Sequence, residues 1–536
     1  MRLTPQHTRV LINGAGPSGL MMASQLLRNG IQPIIIDQKQ GPTNNSNALV
    51  VQARSLEIYR QLGIIDQVIK NGNPVKGASF YIEGQQKATF ALTDIGTGQT
   101  AYPYLLLYQQ SKNERALLDY LTLACCPVYW DTSLLSVAQA DNRVETIIQN
   151  GEETVNITCD WLIGADGAHS TVRKQLQVPF NGDTYPHEFY LADVKLDNDS
   201  LSADEVQLYL SKQGFAGFFP MPETKRYRIV GNLPSGSTSA PELKMAELLP
   251  VLNQVTQQQI NVTETDWFTV YRLHHRMADA FRKHHCFLIG DAAHIHSPVG
   301  GQGMNTGLQD AYNLGWKLAG VVNGQLREAV LDSYAAERMP VAKTLLATTD
   351  RVFALVMSQN WLMNLFKKWI LPRVLNFVWT REATRREFFK RISQTGISYR
   401  DSNINLHLST TTRVKAGDRL PYLKIFDEKK QQETDLHEWC SKPGFTLIVL
   451  GNLSDLDLFT LAKWLTQNHP AMVNFFYLPA SKKNTSVFAD FEINEGRKKA
   501  LIVRPDMHIG FINDVVDIDM MDNYLYNVMG MIKTAV

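Results

Sequence analysis

Cysteine is scarce in this chain of 536 residues, and the five it has carry no metal or redox pattern. Cys125, Cys126, Cys159, Cys286 and Cys440 form no CxxC pair and no zinc-like spacing, so they read as reduced thiols. An excess of charge of one sign is missing too. Lys plus Arg total 53 against 52 for Asp plus Glu, a formal net charge of +1, which gives no electrostatic case for nucleic acid or an acidic partner. No apolar run reaches the ~20 residues of a membrane span. The stretch from Arg351 to Trp379 is rich in Leu, Phe, Trp and Met, but Lys367, Lys368, Pro372 and Arg373 break it. Interfacial membrane contact by such a base-flanked apolar face stays open. Met1 to Thr8 is polar and lacks the apolar core of a signal peptide, so a cytoplasmic protein is expected. No Ser/His/Asp pattern or metal-ligand cluster stands out, and no metal is expected. His294 and His296, two apart on a loop, read as structural. The apolar fraction of 44% and charged fraction of 20% are those of a soluble globular protein, with length for two or three domains.

What is present is glycine, placed at the ends of apolar strands. Val10 to Asn13 reads as a buried strand and runs into Gly14-Ala15-Gly16-Pro17-Ser18-Gly19. A helical run (Leu20, Met21, Ala23, Leu26, Leu27) leads to Gly30, and a second strand, Ile34 to Ile36, ends in Asp37. Such glycines permit a tight turn and close approach of a pyrophosphate, and the acid can hold a ribose hydroxyl. A glycine-rich turn without ligand is the other reading; the flanking strand, helix and acid favour a dinucleotide. A second signal lies at Phe287-Leu288-Ile289-Gly290-Asp291, followed by a Pro/Gly loop and an amphipathic helix from about Asn305. Gly300, Gly301 and Gly303 leave N–H groups bare at the positive end of that helix. Asp291 can accept hydrogen bonds from a polyol. A third apolar strand, Trp161 to Ile163, reaches Asp166-Gly167, which alone reads equally well as an ordinary turn. Two glycine signals in one domain point to FAD rather than NAD, with the ADP half at the first and the ribityl and ring half at the second.

These three motifs, in this order and spacing, resemble the single-component FAD-dependent aromatic hydroxylases of the p-hydroxybenzoate and phenol hydroxylase type, over residues 8 to about 400. The resemblance implies an α/β protein: a Rossmann-like FAD-binding domain with an inserted antiparallel substrate sheet, then a thioredoxin-like α/β domain. Its boundaries would be 1–182 for the first part of the FAD domain and 183–267 for the substrate sheet. Residues 268–407 would supply the second part with closing helices, and 408–536 the thioredoxin-like unit. Non-covalent FAD would lie against Gly14, Gly16, Pro17, Ser18, Gly19 and Asp37 on its ADP side. Arg54 in Ala53–Glu57, Gln110 in the QxxxE that ends at Glu114, Asp166, Gly290 and Asp291 would follow along the cofactor. Pro298, Gly300, Gly301, Gly303, Met304 and Asn305 would position the ring. Asp166 would also border a nicotinamide groove. The chain departs from the pattern at Asn47, where relatives often carry Arg or Lys. It departs again at Leu49, where the simple-phenol branch tends to have Asp, which argues against phenol itself.

Between Asp183 and Trp267 the runs Val206–Leu210, Phe215–Pro220 and Arg226–Val230 read as antiparallel strands. Phe218, Phe219, Met221 and Tyr271 are candidates to line the substrate pocket, with ordinary core packing the other reading of each. Beyond about Leu408 a new unit begins, with a strand at Phe445–Leu450, a helix at Leu456–Trp464 and a strand at Ala500–Val503. Cys440 is its only cysteine, so a dithiol is excluded and a structural or dimer-forming role is expected.

The expected activity is an FAD-dependent NAD(P)H monooxygenase that hydroxylates a small electron-rich phenolic or polycyclic aromatic. O2 is the other co-substrate, and the family route runs through a flavin C4a-hydroperoxide. A single GxGxxG leaves NAD(P)H without a Rossmann unit of its own, so it would bind transiently. Competing readings are a flavin reductase or oxidase on the same fold, a halogenase (whose Trp-x-Trp-x-Ile-Pro signature is missing), and a flavin-free prenyl-binding module of the GDP-dissociation-inhibitor type.

Overall fold

In the computed structural model, which describes residues 3–44, 46–234, 243–297, 300–358, 360–469 and 472–533, the strand-end motifs converge on one edge of a sheet. That sheet runs in the order Arg282–Lys283, Cys286–Leu288, Glu153–Gly164, Gln6–Asn13, Ile34–Ile36, Val128–Tyr129, with a hairpin of Thr132–Ala140 and Arg143–Asn150 to one side. The five strands from Cys286–Leu288 to Val128–Tyr129 are mutually parallel. Val10, Leu11, Ile12, Leu162 and Ile163 are fully buried, as expected of parallel strands covered on both faces. Register does the rest. Asn13 stands opposite Gly164 and Ile36, and Gly164 opposite Leu288, so Gly14, Asp37, Ala165 and Ile289 all leave the sheet at one level. The carboxyl ends of parallel strands are where open α/β sheets bind ligands.

A second sheet of eight strands stands beside this domain, in the order His294–Ile295, Val262–Ala278, Phe180–Leu196, Arg226–Asn232, Gly214–Pro220, Glu205–Ser211, Gly77–Ile82, Gln85–Ala91. It reaches beyond the expected segment 183–267. Its two 17-residue strands overrun both ends, and Gly77–Ile82 with Gln85–Ala91 joins from far upstream, pairing in parallel with Glu205–Ser211. Sequence order conceals that addition because the two partners are separated by more than a hundred residues of other structure. One face of the sheet packs Tyr190, Val194, Tyr209 and Ile229 against Leu248, Leu252 and Val255 of the helix Met245–Thr256. The other face turns toward the first domain.

The C-terminal unit is a five-stranded sheet in the order Leu406–Leu408, Ile509–Asn513, Lys499–Val503, Phe445–Leu450, Val473–Leu478. Phe445–Leu450 is parallel to Val473–Leu478 and antiparallel to Lys499–Val503. The helix Asp455–Asn468 starts from a capping box in which Ser454 and Asp457 satisfy each other's backbone N–H. The unit is joined to the FAD-binding part through one face of the helix Ala53–Leu62. Arg54 donates to Glu57 and to the Asp506 carbonyl, and Arg60 donates to Asp435 and Glu438. Burial alone would raise the Glu57 carboxyl. The charges of Arg419 and Arg54, with a Thr100 hydrogen bond, overcome it and hold the group at about 2.

This seam fixes the direction of acid sensitivity. Burial pushes His437 below its ordinary value of 6.5, so the folded state keeps it neutral while the unfolded chain protonates it. Burial likewise pushes His296 down to about 4. Below pH 6.5 the unfolded chain therefore binds more protons, and stability falls with pH. Glu57, depressed from 4.5, adds stability that is present above 4.5 and lost as pH falls through about 2. Melting temperature should decline steadily from neutral pH to pH 4. Scanning calorimetry showing no decline over that range would contradict the assignment.

Candidate functional site

The first turn is glycine for reasons of space. Gly14 has φ +111°, and a Cβ there would lie 2.3 Å from the Ala165 carbonyl oxygen; one on Gly19 would lie 1.9 Å from that of Gly14. Gly16 is different: nothing lies within 4 Å of its missing Cβ, which leaves room for a ligand. The helix Pro17–Arg28 begins there with Pro17 in its first turn, no side-chain cap and no acid in that turn. Its first N–H groups are free to meet an anionic group such as a pyrophosphate. Asp37 comes to the same edge, where its carboxylate closes the turn by accepting from Ala15 N at 2.6 Å and Lys39 N at 2.8 Å.

The second glycine loop lies directly on that helix. A Cβ on Gly290 or on Gly307 would meet Ser18 Oγ at 2.3 Å. The helix Gly303–Val322 thus begins beside the start of Pro17–Arg28, again with no side-chain cap and no acid in its first turn. Two positive helix ends meet over the sheet edge. Asp291 stands between them, and among the described residues no hydrogen bond or ion pair engages its carboxylate. The residue is exposed, yet enough protein surrounds it that desolvation raises its pKa, with the charge of Asp310 adding and His294 opposing. An accessible but crowded carboxylate belongs to the floor of a concave cleft, which fits an extended polyol ligand.

The tip of this loop is pinned by Asn305. Its Oδ1 accepts from Gln52 N and Ser55 Oγ, both at 2.8 Å, and its Nδ2 donates to the carbonyls of Val50 at 2.9 Å and Gly301 at 2.8 Å. The sequence reading placed this residue, through the loop's backbone amides, against the ring. Its side chain spends its hydrogen-bonding capacity on Gln52, Ser55, Val50 and Gly301, which leaves backbone to face a ring. Gly300 and Gly301 take φ of +83° and +62°, and Gln52 Nε2 donates to the Gly300 carbonyl at 2.9 Å. Met304, partly buried, accepts a contact from Asn113 Nδ2. Pro298 lies outside the described residues.

Other expected contacts resolve differently. Asp166 reaches the sheet edge beside Gly14, but its carboxylate is occupied: Asn13 Nδ2, Ser170 Oγ, Thr171 N and Val172 N all donate to it. It caps the short helix Thr171–Gln175 and braces the first turn. Gln110 accepts from Ala48 N and donates to the buried Glu114, ordering the segment before Leu49. Arg54 does not join the cleft. Its guanidinium is 2% exposed, engaged by Glu57 and Asp506 and lying over the Tyr312 ring, because its helix faces the C-terminal unit.

On the sheet, Phe218 and Phe219 cannot share a face, because side chains alternate along a strand. Phe218 packs on Tyr209 among the residues covered by the helix Met245–Thr256, so it is core rather than pocket. Phe219 faces inward and shares an apolar cluster with Leu49, Val50, Leu208 and Trp379. Val50 is the residue a Cβ on Gly301 would strike, at 2.7 Å, so this cluster abuts the loop. Tyr271 packs beside Phe189, and Met221 is buried at the strand end. Arg228, not singled out from sequence, sits opposite Phe219 on the inner face. It makes a two-bonded pair with Asp193 at 2.8 and 2.7 Å, and its remaining Nη1 is buried with no hydrogen-bond partner among the described residues. An arginine within an alternating strand carries no signal of its own; only the orphaned nitrogen marks it.

Residues 7–349 match the profile of a family described as the FAD binding domain. A 6-methylpretetramide 4-monooxygenase of Streptomyces rimosus is 40% identical over 352 residues, which are 66% of this chain and 63% of that protein. A pentachlorophenol 4-monooxygenase of Sphingobium chlorophenolicum is 32% identical over 77% of this chain and 75% of its own. Among solved structures, the ternary complex of an aklavinone-11 hydroxylase with FAD and aklavinone superposes with a TM-score of 0.81 at 19% identity, covering 99% of this chain and 100% of that one.

The three strand-end acids should separate on substitution. Asp291→Ala removes a carboxylate the protein does not use and should lower FAD occupancy by two orders of magnitude or so, the worth of about two hydrogen bonds to a charged group. Its melting temperature without flavin should hold or rise, because desolvation already disfavours that carboxylate. Asp166→Ala should instead lower that temperature. Absorbance of purified protein and thermal melts read both, and full flavin content in Asp291→Ala would remove Asp291 from the site.

Proposed function

This chain belongs to the single-component FAD-dependent aromatic hydroxylase family, and from that membership we propose that it hydroxylates an electron-rich polycyclic or phenolic ring, with NAD(P)H and O2 as co-substrates. The observation that carries the reading is the Asp291 carboxylate, left free between two uncapped helix ends, with an apolar cluster abutting the glycine loop. Bound FAD supplies the redox chemistry that moves one oxygen atom of O2 to the ring. The protein's part is placement. The first turn receives the pyrophosphate, and Asp291 accepts from the ribityl hydroxyls. The positive end of Gly303–Val322 favours negative charge on the reduced ring by about 1–2 kcal/mol.

A substrate ring seated against the apolar cluster of Val50 and Phe219 would exclude water there, which protects a reactive oxygen donor from hydrolysis. Leu49 belongs to the same cluster, where an acid would suit a small phenol, so a larger apolar ring system is the better match. The relative named for 6-methylpretetramide favours the same class, and the one named for pentachlorophenol favours a phenolic ring. Arg228 Nη1 then donates to an oxygen of that substrate, which supplies its missing partner. We also read the C-terminal unit as thioredoxin-like in fold and structural in role. Its single cysteine, Cys440, is buried and its thiol pKa is pushed up to about 12 by that burial.

Stopped-flow reduction by NADPH and NADH, with and without a panel of polycyclic phenols, tests the reaction. A ligand should accelerate reduction, and one oxygen atom should appear in the product. If no aromatic does either, a reductase or oxidase on this fold replaces the hydroxylase. Arg228→Lys keeps the charge beside Asp193 but loses the fork, and should raise KM by roughly tenfold to a hundredfold with flavin content intact. Gly301→Val forces a branched side chain into φ +62° and onto Val50, and should abolish turnover.

A further inference from the structure

We propose that the helical stretch Trp361–Thr380 is a docking face for the surface of an anionic lipid bilayer. The stretch is one continuous helix: Trp361–Leu365, a π turn at Phe366–Ile370, and Leu371–Thr380. It carries the densest run of exposed large apolar side chains among the described residues. Trp361 is 71% exposed, Phe377 58%, and Leu362, Leu365, Trp369, Ile370 and Val374 are exposed with them. The π turn aligns them. An α-helix advances about 100° per residue, and the one residue inserted by a π turn sets everything after it back by about that amount. Without it, Val374 and Phe377 would point away from Trp361 and Leu365; with it they share one face.

Charge identifies the occupant. From Trp361 to Ile392 the sequence has eight Lys and Arg against two Glu, in a chain whose net charge is +1. Both glutamates are matched by arginines one turn on, Arg386 and Arg391. Lys368, Arg373 and Arg381 are exposed and flank the apolar face, with Lys368 and Arg373 near the Trp369 ring and Arg381 4.3 Å from that of Phe377. Exposed tryptophans with snorkelling bases suit the boundary between headgroups and acyl chains. No helix among the described residues is long and apolar enough to cross a membrane, so the contact lies on the surface. The face also leads inward. Trp379, at the end of the stretch, packs tilted against Phe90 with ring centroids 4.7 Å apart and joins the apolar cluster with Leu49, Val50 and Phe219. An apolar aromatic dissolved in the bilayer would enter beside that cluster; this delivery step alone rests on the hydroxylase reading.

Flotation of the FAD-loaded full chain with vesicles tests the docking. Vesicles of phosphatidylglycerol and phosphatidylcholine should carry the protein up at low salt and release it at high salt, while phosphatidylcholine alone should not. The exposed-residue variants Leu365→Gln/Phe377→Gln and Lys368→Glu/Arg373→Glu should each weaken binding by roughly tenfold or more, with flavin content unchanged. Protein that stays down with anionic vesicles at low salt overturns the proposal. So does a lipid-free dimer that the Leu365/Phe377 variant turns into monomer without any vesicle binding, since the face would then belong to a second copy. Vesicle binding without any hydroxylation would keep the docking face and refute the reaction instead.

Discussion

The helix Gly303–Val322 is held in register by charges that have no water around them. Asp310 accepts from Gly290 N at 3.1 Å and from Arg338 Nε at 2.7 Å, and His294 Nε2 lies 2.7 Å from it. Arg338 continues to the Thr306 carbonyl and the Tyr399 hydroxyl. One turn further along, Glu337 gathers Asn313, Lys317, Ser402 and both terminal nitrogens of Arg504, and Arg504 in turn grips Asp506. Burial pushes Lys317 down to about 8, and Glu337 opposes that. Breaking one member of such a set leaves a charge stranded in the interior, at a cost of roughly 3–5 kcal/mol. The helix therefore cannot slide by a fraction of a turn without losing several partners together.

That rigidity has a functional location. The network begins at Gly290, directly before the free Asp291, and ends on the Arg504–His508 turn of the C-terminal sheet. Trp316 donates to Asp506, and Tyr312 to the Pro505 carbonyl, from the same helix. The C-terminal unit thus acts as a buttress: it touches the far side of the helix whose near end faces the cleft. At the tip, Gly300 and Gly301 hold left-handed backbone at φ +83° and +62°, and Gln52 and Asn305 bond their carbonyls. A site whose loop is braced from root to tip suits holding a ring closely.

Much of the fold was legible in the sequence, since it depended on local rules. Strand ends at Asn13, Ile36, Gly164 and Leu288 follow from short apolar runs stopped by glycine or acid, and parallel register puts them together. The second sheet was less legible, because Gly77–Ile82 pairs with a strand far along the chain and nothing in either segment names the other. Phe218 stood between pocket and core for a simpler reason, and the structure puts it in the core: composition identifies an aromatic strand, whereas the face depends on a one-residue phase set by pairing. Arg54 and Asn305 show the limit of motif reading. Both sit in recognisable patterns, yet each spends its side chain on protein rather than on the cleft.

The acids at the strand ends carry the point furthest. Asp37, Asp166 and Asp291 look equivalent in sequence, each following a buried strand. A carboxylate has about four acceptor positions, and what distinguishes the three is how many the protein itself fills. Asp166 takes four donors, Asn13, Thr171 and Val172 on Oδ2 and Ser170 on Oδ1, and Asp37 takes two. Asp291 fills none among the described residues, although desolvation already disfavours its charge. A carboxylate left unpaired in a crowded setting is unfavourable for the protein alone and becomes favourable once donors arrive. A ligand that brings them would be rich in hydroxyl groups along its middle, as the ribityl chain of FAD is.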